Sequence, residues 1–178
     1  MKALNLFVFL ILSVSIGAAQ QRPGRWLVDG QPGHDTHWSK ASNGFGAQLI
    51  VVDDPKRFID LWNKPEFPNI TTAAVIHRKQ QFGVFILFVG CKTGKDSMCN
   101  AVVSFKVEDP KGKVIAEKTN QTVWNGEQLD PRTIYMGKAV LGLAFSGAEI
   151  DGSYTIRALV QDKNAPATLD LKTTIELK

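Results

Sequence analysis

Cysteine is nearly absent from this chain, and two residues of it, Cys91 and Cys99, exclude a disulfide-rich scaffold or a four-cysteine zinc site. The three histidines are His34, His37 and His77, so imidazole-rich metal centres have little to draw on. No Gly-x-Ser-x-Gly elbow, His-Glu-x-x-His pair or glycine-rich phosphate loop occurs. That removes the recognisable nucleophilic-triad, zinc-protease and nucleotide-binding signatures. Runs of one charge sign are missing too: Lys111 and Lys113 stand among Glu108 and Asp109, and Glu117 precedes Lys118. Nucleic-acid binding needs clustered Lys and Arg, so it is not expected here. The longest apolar stretch also falls short of the roughly 20 residues that cross a bilayer.

That apolar stretch is informative in itself. Lys2, the uncharged run of residues 3–16 and the small triplet Gly17-Ala18-Ala19 have the layout of a secretory signal peptide, residues 1–19, cleaved after about Ala19. The expected location is therefore periplasmic or secreted, with no integral membrane segment after cleavage. Removing Lys2 from the 21 Lys+Arg leaves 20 against 17 Asp+Glu, a formal +3. In an oxidising compartment Cys91 and Cys99 are expected to pair. Closing so short a loop stabilises by about 2.5 kcal/mol in the loop-entropy model, which makes the bond a local staple.

Residues 20–45 are rich in Gly, Pro, Ser, Asn, Asp and Gln, punctuated by Trp26 and Trp38, and are expected to form a flexible lead-in. Residues 46–178 are expected to form one domain, starting with a β-branched strand at 47–52. Asp53-Asp54-Pro55 reads as a helix start, with Asp as N-cap and Pro at the first helical position. Phe58, Ile59, Leu61 and Trp62 then give a short amphipathic helix over 55–62. Downstream the period becomes two. Strands are expected at 74–78, 82–89, 103–107, 113–117, 137–145, 152–162 and 169–177, with a turn at 109–112 and a loop at 122–133. The 82–89 strand is apolar on both faces, so both faces should be covered, one in part by the helix. The fold class is all-β: an antiparallel immunoglobulin-like β-sandwich of seven to eight strands with one short N-terminal helix, a closed barrel being the alternative.

The hairpin Val107-Glu-Asp-Pro-Lys-Gly-Lys-Val114 and the run Asp151-Gly-Ser-Tyr-Thr-Ile-Arg-Ala-Leu-Val-Gln-Asp162 resemble immunoglobulin-like modules of exported bacterial proteins and macroglobulin-type domains. With Asp53-Asp54-Pro55, Phe58, Trp62, Gly90-Cys91, Cys99-Asn100 and Trp124, the pattern is similar to a family of small, uncharacterised exported bacterial proteins. The resemblance implies fold and compartment, and carries no activity with it.

Candidate sites are few. His34-Asp-Thr-His37 is the one histidine cluster and the candidate metal site, although a metal needs three or four rigidly held ligands. Trp124, in the expected 122–133 loop, and Trp38 are candidate binding aromatics, while Trp62 belongs with Phe58 in the core. Asp53/Asp54 and Glu149/Asp151 are paired carboxylates of the kind glycosidases use, but caps and turns are their ordinary places. Asn69 and Asn120 head Asn-x-Thr triplets, relevant only to a eukaryotic secretory host. No catalytic residue and no cofactor is expected. The sequence therefore reads as an exported, non-enzymatic binding or assembly module that meets an envelope or extracellular protein through loops or an edge strand. The alternative is a small-ligand or metal carrier using His34 and His37 or exposed tryptophans.

Overall fold

A computed structural model describes residues 27–28, 31–32, 34–66 and 69–178. The expected signal peptide, Trp26 and most of residues 20–33 lie outside the described residues. Strands β1 (Leu27–Val28) and β2 (Gln31–Pro32) pair with each other as a small hairpin. Order then begins earlier than the sequence reading placed it. Strand β3 (Ser39–Ser42) falls within the expected lead-in and pairs with β4 (Phe45–Val52). The connection is the two residues Asn43 and Gly44, both at positive φ (50° and 83°), the backbone a tight hairpin turn requires and Asn-Gly supplies.

Helix α1 (Pro55–Trp62) matches the expected span. Asp54 Oδ1 accepts the Arg57 N–H at 2.9 Å, Pro55 opens the first turn, and Asn63 N–H closes the last turn on Ile59 O. The remaining strands are β5 (Val75–Ile76), β6 (Gln81–Val89), β7 (Met98–Glu108), β8 (Val114–Glu127), β9 (Tyr135–Ala144), β10 (Gly152–Asp162) and β11 (Ala167–Leu177). Two sheets face each other: β3-β4-β6-β9 and β5-β11-β10-β7-β8. All pairings are antiparallel except β5, which runs parallel to the end of β11. This is an all-β sandwich with one short helix, its two short strands β3 and β5 taking it beyond the seven or eight strands expected. Tyr154 adds a corner typical of such sandwiches: buried at the start of β10, its hydroxyl donates to Ile150 O at 2.7 Å. Burial raises the Tyr154 pKa.

The core lies between the sheets, where Phe45, Phe82, Phe88, Phe105, Tyr154 and Leu171 are all but inaccessible. Strand β6 is buried on both faces, as its composition required. Its outward Phe85 and Leu87 join Ile50, Val52 and Phe58 in a second, smaller cluster outside the four-stranded sheet, with Phe58 and Phe85 edge to face at 4.8 Å. Burying a phenylalanine side chain is worth about 1.5–3 kcal/mol, so α1 is held chiefly by Phe58. Gly83 makes room for this packing: an added Cβ would lie 2.6 Å from Phe85 Cε2 and 3.0 Å from Pro55 Cγ.

One expectation fails at β8. The segment read as a loop over 122–133 is strand as far as Glu127, so β8 carries Trp124 within a 14-residue element. The reason is visible in its register with β7, which slips three times, between Ala101/Val102, Val103/Phe105 and Val107/Glu108. Each bulge resets the alternation of side chains, and no period-two pattern survives over the length of the strand.

Candidate binding surface at the disulfide-closed end

The connection from β6 to β7 is closed by a disulfide between Cys91 and Cys99, Cα to Cα 5.9 Å, with both residues buried. Inside this ring Gly94 N–H bonds Met98 O, Ser97 N–H bonds Gly94 O, and Asp96 Oδ1 accepts the Met98 N–H at 3.0 Å. The loop is thus a built turn rather than slack chain.

A second element fixes it to the neighbouring hairpin. Asp162, the last residue of β10, is 3% exposed, and its two oxygens accept the Lys92 N–H at 2.8 Å and the Asn164 N–H at 2.9 Å. A buried carboxylate is tolerable only with such partners. Asn164 completes the clamp: its amide donates to Lys92 O at 3.0 Å and to Met98 O at 2.8 Å. Lys163 N–H bonds Asn100 O, and Asn43 of the β3–β4 turn donates to Pro166 O at 2.7 Å. Three connections are thereby tied into one end surface. What this scaffold exposes is Lys92, Lys95, Asp96, Ser97, Lys163 and Pro166, three lysines against one aspartate. The sequence reading had the loop and its disulfide, but not Asp162 or Asn164, which hold it.

The other candidate residues are dispersed. Trp124 is not an exposed platform. It is partly buried at the β8/β9 corner, its ring 6.1 Å from both Phe88 and Tyr135, with Lys138 Nζ 4.6 Å over one face. Its Nε1 is buried without an acceptor among the described residues. Trp38 is 43% exposed, and its backbone carbonyl accepts Leu49 N–H. His34 and His37 are exposed, and the Asp35 carboxylate between them is used by the turn, accepting Ala41 N–H. His37 O bonds Lys172 N–H, whereas Arg78, next to His77, bonds Lys178 O. Six residues of strand separate those two anchor points, about 20 Å, so His77 does not join the pair. Among the described residues no three His, Cys, Asp or Glu side chains converge to hold a metal ion.

The paired carboxylates serve structure. Asp54 caps α1, Glu149 accepts the Ser146 hydroxyl, and Asp151 pairs with Arg78. On the outer face of the five-stranded sheet, Glu108 accepts from Lys106 and Arg157 over an open depression of about 430 Å³. The Lys106 hydrogen bond, ahead of the Arg157 one, holds the Glu108 carboxyl below its ordinary pKa.

No protein-family model matches the chain, and no curated protein matches it in sequence. Its fold is similar to solved structures at low identity. One is a family 123 glycoside hydrolase from Clostridium perfringens (11% identity, TM-score 0.45, covering 74% of this chain and 27% of the hydrolase). Another is a CARDB domain from Pyrococcus furiosus (10%, 0.37, 81% and 97%), and a third is a Niemann-Pick type C2 protein from the Japanese carpenter ant (9%, 0.38, 74% and 89%). The chain spans about a quarter of the hydrolase's length. Likenesses this distant carry no argument about activity, ligand or partner.

Proposed function

We propose that this chain is an exported, non-enzymatic binding module that recognises an envelope or extracellular protein through the disulfide-closed end of its sandwich. The observation that carries the reading is the Asp162–Asn164 clamp. A buried carboxylate, an asparagine and a disulfide are spent on fixing a loop whose outward side chains do no packing. Fixing a loop before contact lowers the entropy lost on binding, the main benefit such rigidity brings. The disulfide fits an oxidising compartment, in keeping with the signal-like start of the sequence. Lys92, Lys95 and Lys163 make the complementary surface an acidic one, so association is faster and tighter at low salt.

The test is capture from envelope extract by the wild type and by a Lys92→Glu/Lys95→Glu/Lys163→Glu variant. A partner held by the wild type, released by salt and lost by the variant supports the reading. Equal capture by both proteins rejects this end as the recognition surface.

A further inference from the structure

Each sheet of a sandwich leaves two edges, and unpaired edges invite strand addition unless they are short, charged, bulged or covered. Here β3 and β5 are short, at four and two residues. Strand β8 is long, but three bulges break its edge and Glu117, Lys118 and Glu127 charge it. Strand β9 has none of these protections over residues 140–144, its one register shift against β6 falling before Val140. The β8 side covers it only near its start, where Val123 lies against Gly137 and Trp124 lies under Lys138. Beyond that, β9 pairs in unbroken register with β6 from Val140 to Ala144 and, among the described residues, has no strand on its other side. Residues 139–148 carry no charge. The outward residues Val140, Gly142 and Ala144 are exposed, Val140 at 37%, and none of the described residues stands within 4 Å of the space a Gly142 Cβ would fill.

We infer that β9 is a dimerisation edge, on which the β9 of a second copy adds antiparallel to join the two four-stranded sheets into one. A two-fold contact demands a self-complementary edge. An antiparallel pairing keeps the exposed faces of both copies on the same side whenever the axis passes through a residue; with Leu141 on the axis, Val140 lies opposite Gly142 and Lys138 opposite Ala144. No lysine then faces a lysine, and like charges directly opposed across strands, which are destabilising, are avoided. So short a strand pair buries less than a permanent dimer does, so association is reversible and concentration-dependent. The edge is separate from the disulfide-closed end, and the two readings stand or fall independently.

The experiment uses purified, oxidised protein, with sedimentation velocity and amide hydrogen exchange across a concentration series. Expected are a monomer–dimer equilibrium and exchange at residues 139–144 slowed several-fold at high concentration. Val140→Lys/Gly142→Lys places charge on the exposed face of the edge, so the variant should sediment as monomer and lose that protection. The Lys92→Glu/Lys95→Glu/Lys163→Glu protein should dimerise as the wild type does. Monomeric wild type at every concentration, concentration-independent exchange at 139–144, or a dimer that survives in the folded edge variant would each overturn the inference.

Discussion

Replacing Asp162 with alanine removes one acceptor group and strands two backbone donors, Lys92 N–H and Asn164 N–H, at a position only 3% exposed. Hydrogen bonds to a charged group contribute about 1.5–3 kcal/mol each, and a buried donor left without an acceptor costs about 1–3 kcal/mol. Two such bonds set an upper bound of about 6 kcal/mol. The bonds lie at a loop end that can relax toward solvent, so about 3 kcal/mol is expected. In a chain of this size that lowers Tm by about 6–12 °C. Asp162→Asn keeps one acceptor oxygen and should lose about half as much. Equilibrium urea unfolding monitored by tryptophan fluorescence gives the free energies, and limited proteolysis reports whether cleavage appears between residues 92 and 98. A loss below about 0.5 kcal/mol for Asp162→Ala, the range of ordinary surface substitutions, would refute the clamp.

Reducing the Cys91–Cys99 bond should cost about 2.5 kcal/mol and leave unfolding cooperative, since β6, β7 and β10 meet outside the ring; a calorimetric scan with reductant shows whether one transition survives. Glu108 has a lowered folded pKa, so its contribution is present above the ordinary carboxylate range and is lost as pH falls through the lowered folded value. Glu108→Gln should therefore lower the neutral plateau of a stability-versus-pH curve while leaving the acid end in place, which flattens the acid limb. For the carrier alternative, zinc and copper titrations of wild type and His34→Ala/His37→Ala by calorimetry should be indistinguishable. A tight site lost in the double variant would establish a metal function that the dispersed histidines do not predict.

Features written by neighbouring residues were legible in the sequence. Asp54-Pro55 with Phe58 and Trp62 specified α1 end to end, because capping and amphipathic spacing act within two turns. Strand β10 was read with its observed limits because Tyr154, Ile156, Ala158 and Val160 alternate without interruption. Strand β8 was cut short because its bulges, set by pairing with β7, erase that alternation, and the exposure expected of Trp124 failed with it. Strand β3 had a local signal in Asn43-Gly44 that the polar composition around it obscured. The role of Asp162 had no local signal, since its partner Lys92 stands 70 residues away. The β9 edge is likewise a property of strand order, not of any one segment.

That separation of 70 residues also sets a time at which the loop surface comes into being. The ring at Cys91–Cys99 can close early, because the two thiols are near neighbours along the chain. Its orientation cannot be fixed until the β10–β11 hairpin has docked beside β7 and brought Asp162 and Asn164 to Lys92 and Met98. Contacts so distant in sequence also carry the larger loop-closure cost. The lysines on this end therefore reach their final geometry only in the completed sandwich, and a partner that requires it discriminates finished molecules from folding intermediates.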